Sequence, residues 1–237
     1  MKQTNTTHQG KILYGNQTSN TVRVWDLPTR IFHWALVICI IGLGISGSMG
    51  GSNLVWHFRF GYALLTLLLF RIVWGLAGGH WSRFKHFIYA PKTLVNALKG
   101  TCKPAHSVGH SPLGAISVFT MLAMLLTQVG SGLFSNDDIA FAGPLTHLIS
   151  NESVSFLTNY HSNIGKWLLL ALILLHIGAI FLYQKRRHKL IEAMLHGDKE
   201  LLINAASSRD DAVSRLYAAL VFIICALFVT WLTSLKL

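Results

Sequence analysis

Two histidines, His161 and His176, bound the stretch HSNIGKWLLLALILLH, which is almost wholly apolar and carries Lys166 as its only charge. At ~1.5 Å rise and ~100° per residue, a helix sets these imidazoles roughly 22 Å apart along its axis and within about 60° of each other around it. One membrane helix would therefore carry two histidines on nearly one face, at two depths. An imidazole inside an apolar span is costly unless it has a partner. Neutral imidazole is a strong axial ligand for haem iron, so this spacing suits two stacked haems. A single such histidine reads equally well as a hydrogen bond to a neighbouring helix. Two on one face, with partners at matching depths, favour ligation.

The partners are at hand. His33 stands at the entry of the first apolar run and His57 at the start of the second. Odd-numbered spans run one way and even-numbered spans the other. His33 and His176 therefore share one half of the membrane, and His57 and His161 share the opposite edge. Bis-histidine ligation closes an iron to substrate and favours electron transfer. No carboxylate or thiolate accompanies these residues, and the pairs are too far apart for one four-ligand metal site. His57 is followed one turn later by Gly61, and His161 by Gly165; Gly44 and Gly47 lie deeper on the face of His33. Small residues there let a planar porphyrin lie close to the backbone, although glycine faces also simply pack helices together. Arg71, fourteen residues beyond His57, either pairs with a propionate of the second haem or snorkels to the interface. Gln128 reads as an interhelical hydrogen bond rather than a quinone contact. His80, His86, His106, His110 and His147 fall outside the hydrocarbon and read as solvated or hydrogen-bonded.

The elements that must position these side chains follow from composition. Of 237 residues, 52% are hydrophobic and only 12% charged, which puts the chain among integral membrane proteins and leaves no room for a large soluble domain. Apolar runs near 31–49, 56–77, 113–134, 160–183 and 214–235 predict five spans. The net charge of +11 is a topology signal rather than a nucleic-acid footprint. Lys and Arg crowd the segments before the first span, between the second and third, and between the fourth and fifth. The loop 135–159 holds Asp137, Asp138 and Glu152 with no Lys or Arg. By the positive-inside rule the N-terminus is cytoplasmic, and an odd number of spans leaves the C-terminus outside. Anionic lipid is a second use for the basic loops. Cys39, Cys102 and Cys225 form no Cys-x-x-Cys-His motif, which excludes covalent haem, and residues 1–30 are too polar for a cleavable signal. Residues 1–24 read as a mobile polar cytoplasmic tail. Pro28 suits a helix first turn, Trp25 and Trp34 an interfacial aromatic belt, and residues 90–99 a short interfacial helix.

The segments RIFHWALVICIIGLGISG, HFRFGYALLTLLLFRIVWG, GHSPLGAISV, DDIAFAGPL and HSNIGKWLLLALILLH together resemble the prokaryotic cytochrome b561 and nickel–iron-hydrogenase b-type cytochrome family over about residues 22–190. The resemblance implies an all-α membrane bundle, with a four-helix di-haem core over 25–190, then a cytoplasmic linker and fifth span over 191–237. It implies two non-covalent b haems with His33, His57, His161 and His176 as axial ligands. It also implies electron transfer between the quinone pool and a redox partner, either a periplasmic c-type cytochrome or a hydrogenase-like enzyme. Some members resemble superoxide:quinone oxidoreductases acting alone, for which Arg59 and Lys166 are the outer cations available to draw the anion. A haem-free scaffold or transporter is the non-redox alternative. Asp137 and Asp138 either dock a basic partner or are simply solvated.

Overall fold

The computed structural model describes residues 20–101, 104–185 and 189–235. Among these residues, five helical segments are long and apolar enough to cross a membrane: Leu27–Met49, Gly51–Ala77, Ala105–Leu133, Asn151–Lys185 and Ala212–Ser234. The regular helices within them are α1 (Leu27–Met49), α2 (Leu54–Ala77), α4 (Pro112–Leu133), α6 (Lys166–Lys185) and α8 (Ala212–Ser234). Short helices α3 (Pro91–Leu98), α5 (Asn151–Asn159) and α7 (Leu190–His196) complete the set. The chain is an all-α membrane bundle, as its composition predicts. The first span begins four residues earlier than its apolar run, because Asp26 accepts the Thr29 N–H as an N-cap and Pro28 occupies the first turn. The fourth is longer at its start because polar α5, capped by Ser150, runs straight into it. Hydropathy carries no signal for such an extension.

α2 is the central helix. Leu64, Leu65, Leu67, Leu68, Phe70 and Trp74 are buried between Phe32, Leu36 and Cys39 of α1 on one side and Ala218, Val221, Cys225 and Val229 of α8 on another. Leu125 and Val129 of α4 close the core. α6 packs on α4 and hardly touches α1. In lipid such packing rests on close van der Waals fit, since the acyl chains are as apolar as leucine.

At the end where the basic loops gather, the chain builds a small polar cap. Strands β1 (Asn20–Arg23) and β2 (Asp198–Leu201) pair antiparallel, with Asn20 opposite Leu201 and Arg23 opposite Asp198. Arg23 grips Asp198 with two N–H groups, at 2.6 and 3.0 Å, and Asp210 with a third at 2.7 Å. Val22, Val24, Trp25, Val108 and Ala193 form a second core beneath. Residues 20–24 therefore do not belong to a mobile tail; residues 1–19 lie outside the described residues. Trp25 also departs from expectation. It is buried, with its ring 4.6 Å from that of His110, and only Trp34 keeps the exposure expected of an interfacial aromatic. Both differences arise because β1 finds its partner far along the chain. Asp26, fully buried, ties the cap to the helices by accepting from Trp74 Nε1, Gly79 N and Ser82 Oγ. Any side chain at Gly79 would run into that carboxylate. Gly197, at φ +91°, ends α7 in the left-handed region and offers its carbonyl to Val24 N and Trp25 N. The interfacial helix expected over 90–99 is α3, which buries none of its residues.

Candidate functional site

His57 and His161 face each other at the end opposite the cap, with ring centroids 6.0 Å apart and planes perpendicular. Each ring is fixed by its Nδ1. That of His57 lies 3.1 Å from the Leu43 carbonyl of α1, and that of His161 lies 2.9 Å from the Gln128 carbonyl and 3.3 Å from Ser131 Oγ of α4. A carbonyl oxygen only accepts, so each Nδ1 carries the hydrogen and each Nε2 keeps its lone pair. Glycines make room for the rings. A Cβ at Gly47 would sit 3.0 Å from the His57 ring, and one at Gly132 would sit 2.8 Å from that of His161.

His161 lies in a π-helical turn, Tyr160–Gly165, between α5 and α6. The extra residue of such a turn changes the ideal offset between His161 and His176 from about +60° to roughly −40°, so both still share one side of the helix. Gln128 reaches across to this turn and donates from Nε2 to the His161 carbonyl at 2.9 Å. The expected interhelical hydrogen bond is therefore present, and its acceptor is a histidine-bearing turn.

Nearer the cap, His33 and His176 project from α1 and α6 within electrostatic reach of each other. His33 Nδ1 is buried with no hydrogen-bond partner among the described residues, and its ring stands edge-on to Trp34 at 5.1 Å. Arg71 does not snorkel. It is 3% exposed, donates from Nη1 to the Ser82 carbonyl at 3.1 Å, and lays its guanidinium over the Phe84 ring at 4.8 Å. The two candidate glycines differ. Among the described residues, and apart from its own helix backbone, a Cβ at Gly61 would meet no protein atom within 4 Å, whereas one at Gly165 would collide with Gln128 Oε1. Arg59 and Lys166 rest on the rings of Trp56 and Trp167 at 4.7 and 5.5 Å.

A family model described as prokaryotic cytochrome b561 matches residues 24–197. The chain belongs to this family. Members of the cytochrome b561 family are membrane b-type cytochromes of electron transfer, so haem b is the cofactor implied. Among curated relatives, the chain is 26% identical to the probable Ni/Fe-hydrogenase B-type cytochrome subunit of Bradyrhizobium diazoefficiens, over 76% of this chain and 86% of that one. The corresponding subunits of Azotobacter vinelandii and the hydrogenase 1 system of Escherichia coli are each 22% identical, covering 66% and 65% of this chain and 78% and 80% of theirs.

The residues present fit a haem. Two imidazoles that each bind one metal ion at ~2 Å set their centroids roughly 6 Å apart, which is the spacing of His57 and His161. Their tethered Nδ1 groups supply the outer hydrogen bond that metal-bound histidine ordinarily makes. Ser131, Gly132 and the Leu43 carbonyl were not singled out by their sequence. Gly130, Ser131 and Gly132 are a run of small residues at the end of a histidine-free span, and that was the available signal. The backbone carbonyl had none.

Proposed function

We propose that the chain is a transmembrane electron conduit in which His33 and His176 hold one b haem and His57 and His161 hold a second. The observation that carries this reading is the opposed, Nδ1-tethered couple of His57 and His161. Two irons closed by imidazoles on both faces would pass electrons rather than bind substrate. One end exchanges electrons with the quinone pool and the other with a redox protein. The relatives, described as hydrogenase cytochrome subunits, favour a hydrogenase-type partner over a c-type cytochrome. Arg71 offers buried positive charge for a propionate of the haem nearer the cap, Gly61 gives a porphyrin close approach, and Gly165 lets Gln128 reach the His161 turn. The charge asymmetry supports an orientation with the cap in the cytoplasm and the loop holding Asp137 in the periplasm of a bacterial inner membrane.

The test is pigment counting on the purified protein. Two haems per chain are expected, with a reduced-minus-oxidised b-type spectrum and reduction by a quinol. His176→Ala should lose one haem and His57→Ala the other, each leaving its counterpart spectrally intact. A single haem in the parent protein, or both retained in either variant, would refute the pairing.

A further inference from the structure

A cavity of about 480 Å³ opens where the end of α2 meets the start of α8 beneath the cap. Its floor is aromatic and apolar: Trp74 and Tyr217, with rings 6.1 Å apart, and Val213. Its rim is polar, formed by His80, Arg83 and Arg209. The two guanidinium groups are not equivalent. Arg209 is held by Asp211 at 2.7 Å, and Asp211 also caps α8 by accepting the Ser214 N–H. Arg83 has no carboxylate within ion-pair range among the described residues, and its Nε is buried without a hydrogen-bond partner. His80 is held below its ordinary pKa by burial and by Arg83 and Lys85, so it offers a hydrogen bond rather than charge. Trp74 lies in the last turn of one membrane helix and Val213 and Tyr217 in the first turns of another. The cavity therefore straddles the boundary between apolar and polar layers, with its own Val213 and the neighbouring Leu76 both exposed.

Such a site suits an amphiphile with an anionic head. We propose that this cavity binds the phosphodiester head group of an anionic phospholipid against Arg83, with the acyl chains running down α8 past Val213 and Tyr217. A neutral quinone ring would leave the Arg83 charge unanswered. Diffuse attraction to the basic loops would not single out Arg83 from cations elsewhere on the cap. The site lies outside the histidine couples, so it stands or falls independently of the haem assignment.

Native mass spectrometry of the whole protein in neutral detergent, titrated separately with phosphatidylglycerol, phosphatidylcholine and inorganic phosphate, decides the matter. Phosphatidylglycerol should bind about fivefold more tightly than phosphatidylcholine, the scale of one interfacial cation. Arg83→Gln should abolish that preference, Arg83→Lys retain most of it, and Lys92→Gln, which removes the same charge away from the cavity, leave it unchanged. Val213→Trp fills the cavity with every charge in place and should also weaken phosphatidylglycerol; it serves if Arg83→Gln does not fold. Equal binding of the two lipids by the parent protein overturns the proposal, as does a preference that survives both Arg83→Gln and Val213→Trp. Inorganic phosphate binding as tightly as phosphatidylglycerol would make this a free-anion site and overturn the lipid assignment. Displacement by a short-chain neutral quinone at equal concentration would do the same.

Discussion

Gly61 and Gly165 follow their histidines at the same spacing, yet only Gly61 opens onto free space. The difference is the π turn, which advances less per residue than an α-helix and swings Gly165 toward Gln128. Equal spacing in sequence is equal geometry only within one kind of helix, and composition does not encode the hydrogen-bond register. The histidines themselves were legible because imidazoles are rare in apolar runs and the depths of the spans pair them. Their tethers were not, since two of the three acceptors are backbone carbonyls. These contacts make two substitutions informative. A Cβ at Gly61 points into open space, so in Gly61→Val the polypeptide should keep its helix content and melting temperature while haem content falls toward one per chain. Gly132→Val drives a Cβ into the His161 ring and should remove the same haem. Absorbance at the reduced α-band against protein mass separates the outcomes, and full haem content in both variants would argue against a porphyrin beside His57.

At the scale of elements, the π turn and the cap are the features that periodicity did not reveal. Deleting Asn163 would return Tyr160–Gly165 to α-helical register while keeping a span of adequate length. The deletion should leave membrane insertion intact and cost the His161 haem alone, read as a single remaining redox transition in a potentiometric titration. The cap was hidden because four-residue strands carry little local signal and Arg23 meets Asp198 across 175 positions. Its β2 residue Lys199 donates to the carbonyls of Ser107 and Val108 at 3.3 and 2.8 Å, and burial pulls its pKa from 10.5 down to about 8. A lysine with a depressed folded pKa binds fewer protons folded than unfolded between those values, so stability rises with pH across that window. The rise should be on the order of 1 kcal/mol, because the side chain is only partly shielded from solvent. Melting of the parent protein should move upward from pH 8 to 10 relative to Lys199→Met; parallel curves would deny Lys199 this role.

For the whole molecule, five apolar runs and their charge asymmetry were readable because hydrocarbon thickness and the cost of buried charge act on every residue. The packing order was not, since helices apolar all round give no sign of which face meets which neighbour. α8 lies against α2 and away from α4 and α6, while Arg215 at its start reaches Asp210 at 3.0 Å. Removing residues 212–237 should lower the melting temperature by several degrees yet leave the haem content of the parent protein unchanged, and loss of pigment on truncation would place α8 within the cofactor core. One consequence of the strand pair concerns assembly. α1 and α6 hardly touch; their ends are joined through the cap, where Arg30 donates to Leu195 O at 2.7 Å and Gly197 O accepts from Val24 and Trp25 just after β1. The ribosome makes β2 about 175 residues after β1, when four spans already exist. A variant that cannot pair the strands should therefore loosen the side of the bundle holding His33 and His176 and spare the opposite side, whose couple is tied directly to carbonyls of adjoining helices.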